Sequence, residues 1–394
     1  MTRLWDKGEG LDAQVLRYTA GEDHLLDERL VRYDVQASAA HAAMLHAAGF
    51  LGARELEALT RALDDLGQAH ARGEWHVRLE DEDCHTALEN RLVDRVGETG
   101  ARIHLGRSRN DQVLAALRLY LKDALEGLAL DAEAVAAALD GVVARAGQTP
   151  MPGYTHLQRA MPTTVGLWLG AFAAELRDDA AGLRAARRRA DKNPLGSAAG
   201  YGVPVLALDR AKTTQALGFA CAHEPVTAVQ LSRGKAEAEA LLQASLLAQD
   251  LGRLAADLCL YATAEFGFVQ LPREFSTGSS MLPQKRNPDV FELVRGRSGE
   301  AAAALGEVLS ITAKMTSGYH RDLQLLKKPL FRGLDSVQAS ARIMAHAVPG
   351  LQLDAGRMAV ALDPSLFEAE RAYLLVRDEG IPFREAYRRV KAGG

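Results

Sequence analysis

Between Glu274 and Pro288 the chain shows no apolar periodicity. Within this region the stretch STGSSMLPQKRNPD (276–289) gathers Gly278, the hydroxyls of Ser279 and Ser280, and the cations Lys285 and Arg286. Such a segment suits an anion: exposed backbone N–H groups around the glycine and serines can cradle a carboxylate, and the Lys285 ammonium supplies full positive charge where an oxyanion develops. Long loops inside helical proteins are uncommon and usually functional. The plain alternative is a solvated Ser/Gly linker.

Two further stretches carry reactive side chains. GYTHLQRAMP (153–162) sets His156 between Thr155 and Leu157, followed by Gln158 and Arg159, just before Pro162, which reads as a helix entry. An imidazole titrates near neutrality and can pass protons, although a single histidine is often only a hydrogen-bonded structural residue. IHLGRSRNDQV (103–113) holds six consecutive polar side chains, Arg107, Ser108, Arg109, Asn110, Asp111 and Gln112, at the mouth of an apolar stripe that begins at Leu114. Arginines at a helix start oppose the macrodipole unless an anion is present, so a carboxylate ligand would resolve the conflict. Otherwise Asn110 and Asp111 merely cap the helix. In a weaker stretch, DEDCHTALENRL (81–92), His85 and Thr86 begin a helix through Leu88 and Leu92 that could be an ordinary capped helix.

Other chemistries lack support. No stretch groups His, Cys or carboxylates at metal-ligand spacing, and HExxH is absent, so no metal is expected. There is no GxSxG elbow and no dinucleotide fingerprint after a strand. GSAAGYGVP (196–204) follows no strand and lacks the Lys and Ser or Thr of a phosphate loop, so it reads as a turn, and the basic run from Arg184 to Lys192 reads as a solvated helix face. Cofactor-free acid–base chemistry remains. The 47 basic and 51 acidic side chains are interspersed and leave a net charge of −4, unlike the basic stripe of a nucleic-acid binder. Cys84, Cys221 and Cys259 are far apart and odd in number, which suggests reduced thiols and a cytoplasmic protein. The polar start MTRLWDKGEG does not resemble a signal peptide, and no apolar run is long enough to span a bilayer.

The elements that must position these groups are helical. Aromatic residues make up only 6% of the 394 residues, while unbranched helix formers abound, so a nearly all-α fold is predicted. Between Pro225 and Pro272, Ala240, Ala244, Leu247, Leu251, Leu254, Leu258 and Tyr261 recur at steps of four and three. A helix of about 36 residues there would run about 54 Å and needs other long helices beside it. A second seam passes through Leu114, Leu117, Leu121, Ala124 and Leu128 and, after a phase slip, through Ala132, Val135, Leu139 and Val142. Two long seams suggest a bundle shared between copies, hence a homo-oligomer. A monomeric bundle is the alternative.

In this order, GRSRNDQV, GYTHLQRAMP and TGSSMLPQKRNPD resemble the three signature regions of the fumarase and aspartase superfamily, and most closely those of its argininosuccinate lyase family. The likeness runs roughly from Leu4 to Tyr387 and includes DVQASAAHAAML near the start and GYHRDLQLLKKPLF at 318–331. It implies an elongated helical fold in three parts: an N-terminal helical domain (1–106), a central long-helix bundle (107–352) and a short C-terminal domain (353–394). It also implies a homotetramer whose active sites combine regions from three subunits, and cleavage of argininosuccinate to fumarate and arginine.

The resemblance further implies roles. Ser279 matches the serine thought to remove the proton, and His156 the histidine historically called the base, so which of the two acts stays open. Glu292 matches the carboxylate that orients that histidine. Lys285, Asn287 and the loop backbone match the groups that stabilise the dianion formed beside the substrate carboxylate. Ser108, Arg109 and Asn110, then Thr155 and Gln158, match substrate-holding positions, and His85 and Thr86 join them. Tyr319, Gln324 and Lys327 match the arginine-side contacts. The family usually has Thr at Leu105, Gln at Met161 and Ser near Gly21, and it continues for a few helical turns beyond Gly394, so altered affinity and a shortened lid are expected. The rivals are adenylosuccinate lyase, which must hold a nucleotide phosphate, and a crystallin-like relative without activity.

Overall fold

The structure is a computed structural model that describes residues 12–278, 281, 282 and 284–393. Both sequence seams are helices. Arg109–Ala146 is one unbroken helix of 38 residues, and Leu125 takes over where the seam slips phase, so the buried line runs without interruption from Leu114 to Val142. Lys235–Tyr261 buries every residue of the first seam. That helix has 27 residues, about 40 Å, shorter than the span between the two prolines suggests. Gly234 accounts for the late start: it sits at φ +81°, and a Cβ there would meet the Thr312 side chain at 2.4 Å. The backbone can turn so close to Thr312 only without a side chain. Val165–Ala190, Glu300–Thr312 and Lys327–Ala347 are further helices of the chain. No helix among the described residues is long and apolar enough to cross a membrane.

By contacts the chain forms two compact units, and each of the three longest helices gives a segment to both. The first comprises Met1–Gly127, Gly182–Ala244 and Glu300–Asp335. Its N-terminal helices Val31–Ala47, Ala53–Ala71 and Cys84–Val96 enclose a core of Met44, Leu45, Leu59, Leu63, Leu88 and Leu92. Gly333 allows its helix close to two others, because a Cβ at that position would lie 2.5 Å from Leu241 and 3.1 Å from Ala304. Bundle packing here depends on that missing side chain.

The second unit comprises Leu128–Ala181, Ser245–Gly299 and Ser336–Gly394. It contains an antiparallel hairpin, β1 (Pro150–Thr155) and β2 (Gln158–Thr164), so Pro162 lies in a strand and the helix begins only at Val165. Pro152 and Pro162 pair across this two-stranded ribbon, where each strand is an edge and a missing N–H costs little. Tyr154, Trp168, Tyr261, Phe266 and Phe268 form an aromatic cluster, and Trp168 Nε1 donates to Asp257 at 2.9 Å. The helices Glu368–Glu379 and Phe383–Lys391 hold a small core of their own around Ala372, Ala386 and Val390.

Candidate active site

In the first unit, Arg109, Asn110, His85, Tyr319, Gln324 and Lys327 line one cleft of about 80 Å³. The start of the Arg109 helix is capped by Ser108 rather than by Asn110 or Asp111. The Ser108 hydroxyl accepts from Asn110 N at 3.3 Å, and Asp111 Oδ1 accepts from Ser108 N at 2.9 Å, a reciprocal box. The other oxygen of Asp111 accepts from Gly196 N at 3.0 Å and Ala198 N at 2.9 Å. The GSAAG turn is thus a cradle for a protein carboxylate. Burial, partly offset by these donors, pushes Asp111 up to about 6.

Arg109 at this helix start finds anions within the chain. Arg109 Nη1 lies 2.9 Å from Asp83 and 3.5 Å from Glu82, while Arg107 is buried and donates to Ser38 at 2.7 Å. Burial disfavours charge on both Asp83 and Arg109, but their mutual attraction, with His85 beside Asp83, lowers the acid and raises the base. Asp83 also caps the Cys84–Val96 helix by accepting from Thr86 N at 2.8 Å. His85 is buried 3.0 Å from Asp34; burial opposes its charge, yet Asp34 raises its pKa. Lys327 is enclosed between Asp27 at 2.5 Å and Asp23 at 2.7 Å, which raise its pKa against the effect of burial. Gln324 donates to the carbonyls of Thr19 and Ala20 at 3.0 and 3.2 Å.

The sequence reading missed the rest of the charged lining, Asp23, Glu82, Asp83, Arg233 and Arg321. The acids Glu82 and Asp83 just ahead of His85 were the available signal, as counter-charges for Arg109. It also missed that Asp27, Cys84 and His85 bring potential metal-ligand atoms within 4.8 Å of one another. These groups are engaged internally: Asp27 holds Lys327 and accepts from Cys84 N, His85 pairs with Asp34, and burial together with nearby carboxylates keeps the Cys84 thiol protonated.

The remaining candidates belong to the second unit. Thr155 and Gln158 close the hairpin as its last pair, so His156 and Leu157 form a two-residue turn with φ +54° and +58°. Two positive φ values are the signature of a type I′ turn, whose usual residues are Asn and Gly. Holding His and Leu there stores strain of the kind found at functional sites. The turn aims His156 outward, and Thr155, His156 and Gln158 are all exposed.

The 274–288 segment is not structureless: Thr277 and Gly278 pair with Asn287 and Arg286 in a short antiparallel ladder, and Asn287 Nδ2 reaches Thr277 Oγ1 at 3.5 Å. Lys285 is exposed beside that ladder, and Glu292 is exposed on the helix Asp289–Arg297. Ser279 and Ser280 lie outside the described residues. Among the described residues no ion pair or hydrogen bond joins His156 to Glu292 within the chain.

A family model described as Lyase matches residues 12–302. The argininosuccinate lyase of Sorangium cellulosum (strain So ce56) is 50% identical over 390 residues, covering 99% of this chain and 90% of its own. That of Thermotoga neapolitana is 41% identical over 388 residues, covering 98% and 97%. Among solved structures, an EDDS lyase variant with bound fumarate aligns with a TM-score of 0.81 at 25% identity, covering 97% of this chain and 76% of its own. A class II fumarase from Schistosoma mansoni aligns with a TM-score of 0.80 at 17% identity, covering 98% and 89%, a likeness of fold alone.

The helical fold is that of the fumarase-like long-helix bundle, and the relatives make the chain a carbon–nitrogen lyase. Within that class the chain belongs to the argininosuccinate lyase family. Its reaction is the β-elimination of argininosuccinate to fumarate and arginine.

Proposed function

We propose that Ser279 and His156 together handle the proton removed from the carbon beside the C–N carbon. The electron pair left behind spreads into the adjacent carboxylate as a dianion, the C–N bond breaks, and the guanidino nitrogen of arginine leaves and is reprotonated. Lys285, Asn287 and the loop backbone stabilise the dianion, where fixed donors contribute more than in the ground state. Glu292 orients His156. Ser108, Arg109, Asn110, Thr155 and Gln158 hold the succinate carboxylates, with His85 and Thr86 behind them, while Tyr319, Gln324 and Lys327 receive the arginine half.

We further propose a homotetramer in which each site is completed by other copies. The observation that carries this is exposure: Thr155, His156, Gln158, Lys285 and Glu292 are all open to solvent in one chain, whereas proton transfer to and from carbon needs a site that excludes water. Exposed Leu167, Leu242 and Leu246 on the long helices, and Leu293 on the helix Asp289–Arg297, are candidates for the covered faces. The chain-order division 1–106, 107–352 and 353–394 and a cytoplasmic location, supported by three free cysteines, belong to the same proposal.

The test is fumarate release, followed by its ultraviolet absorbance, with argininosuccinate and adenylosuccinate offered in parallel and the assembly measured by light scattering. Ser279→Ala is expected to abolish turnover and leave the tetramer intact. Mixing inactive Arg109→Ala and His156→Ala chains should restore part of the activity. Near-normal activity in Ser279→Ala refutes the serine's role, and mixtures that stay inactive refute shared sites.

A further inference from the structure

The cleft of the first unit contains two buried ionic groups whose hydrogen bonding the chain leaves incomplete. Asp23 is only 8% exposed. Its Oδ2 lies 2.7 Å from Lys327 Nζ, but its Oδ1 is buried without a hydrogen-bond partner among the described residues. Lys327 cannot balance it alone, because the same ammonium also serves Asp27 at 2.5 Å.

Arg233 shows the opposite deficit in the same lining. Its side chain is 2% exposed, and Nε and Nη1 are buried with no hydrogen-bond partner among the described residues. Among the described residues its Nη2 reaches only Leu323 O, at 3.4 Å, and the nearest carboxylate, Glu237, stands 4.0 Å away. Buried donors and acceptors left unsatisfied are costly, most of all on charged groups. The cleft's other arginines are already committed, Arg109 to Asp83 at 2.9 Å and Arg321 to Glu82 at 3.5 Å.

A carboxylate oxygen in need of a cationic donor and a guanidinium in need of an anionic acceptor, lining one small cleft, complement a zwitterion. Argininosuccinate has one such group. Its succinate end carries carboxylates without a cation and would repel Asp23, and its guanidino centre carries no carboxylate for Arg233. Only the α-amino-acid end bears both charges on one carbon. We propose that Asp23 and Arg233 are specificity residues that dock this end, Arg233 binding the α-carboxylate and Asp23 the α-ammonium. The assignment rests on the reading of the cleft as the arginine side of the site. It makes the enzyme selective for a free amino acid over the same guanidine with its amine blocked or its acid removed.

The experiment is inhibition of fumarate release by arginine, by agmatine, which lacks the α-carboxylate, and by the guanidino acid that lacks the α-amine. Wild-type, Asp23→Asn and Arg233→Lys enzymes are compared. In the wild type, arginine is expected to compete with the substrate and to bind at least about tenfold more tightly than either analogue, the usual scale for one buried charge-assisted contact. Asp23→Asn should raise KM more than it lowers kcat and bring the amine-free acid level with arginine, with agmatine still weak. Arg233→Lys, which keeps the charge but loses the bidentate guanidinium, should instead shrink the penalty on agmatine. Equal inhibition by all three ligands in the wild type overturns the docking pair and leaves the cleft's arginine-side reading standing. Absence of competition by arginine overturns that reading as well. If Arg233→Lys does not fold, the wild-type series and the near-isosteric Asp23→Asn decide the matter.

Discussion

Asp111 supports the helix start that carries Arg109, and Asp111→Asn tests how much. Its carboxylate serves three backbone donors, Ser108 N on one oxygen and Gly196 N and Ala198 N on the other. An amide keeps one oxygen and turns an NH₂ toward the other set, so one or two buried N–H groups lose their acceptor. At about 1–3 kcal/mol each, the cost is about 2–4 kcal/mol.

The carboxylate also carries a penalty that the amide does not, because burial raises it from 3.8 to about 6. The folded protein therefore keeps this proton over a range in which the unfolded chain has released it. Stability from this group is full below the unfolded value and is lost as pH rises through 6, at about 1.4 kcal/mol per unit. The variant lacks that loss, so the gap between wild type and Asp111→Asn should narrow by about 1.4 kcal/mol from pH 5 to pH 8. Urea unfolding followed by circular dichroism at one fixed protein concentration measures both quantities. A cost under about 1 kcal/mol at pH 8, where the group is ionised, or a gap that does not change with pH, refutes the cradle.

Other perturbations follow the same physics. Lys327→Met leaves Asp23 and Asp27 buried without their cation and should cost about 3–5 kcal/mol; an unchanged urea midpoint at pH 8 would contradict the enclosed ion pairs. Asp179 is pushed up to about 7 by burial and by Asp250, Asp178 and Glu175. Asp179→Asn should therefore stabilise the protein at pH 8 by about 1–2 kcal/mol, after discounting for partial exposure, and leave it unchanged near pH 4; thermal melts at the two pH values decide. Leu157→Gly relieves a left-handed side chain and should slow hydrogen exchange in the hairpin by the equivalent of up to about 1 kcal/mol; faster exchange would show that the turn is not strained.

What the sequence revealed and what it hid have a common physical origin. The seams were legible because a helical face is a local, periodic property: the seam residues from Ala240 through Tyr261 and from Leu114 through Val142 are buried, save Ala124, whose place Leu125 takes. The helix limits were less legible, since Gly234 delays the helix start with a positive φ at a place where a side chain would collide with Thr312, a closeness that no local pattern records. Pro162 suggests a helix entry by propensity, but in a ribbon made only of edges it fits a strand. His156 stood out by chemistry, yet its turn did not, because His-Leu lacks the Asn-Gly signal that marks such turns. The acids around Lys327 were hidden for another reason: Lys327 meets Asp27 across 300 residues of chain, and pairing at that range leaves no trace in spacing.

The hairpin under His156 also limits which changes of length the chain can accept. Thr155 and Gln158 pair directly across two residues, and a bulge between Gly153 and Tyr154 already adjusts the register below them. One residue added to or taken from the turn would shift every partner along the ribbon by a place, and a one-place slip sends each side chain to the opposite face. Tyr154 would leave its aromatic neighbours, and the imidazole would point elsewhere. Substitutions in this stretch can be graded in their effects, whereas insertions and deletions should be all-or-none, so the spacing from Gly153 to Met161 is a stricter requirement than the identity of most residues between them.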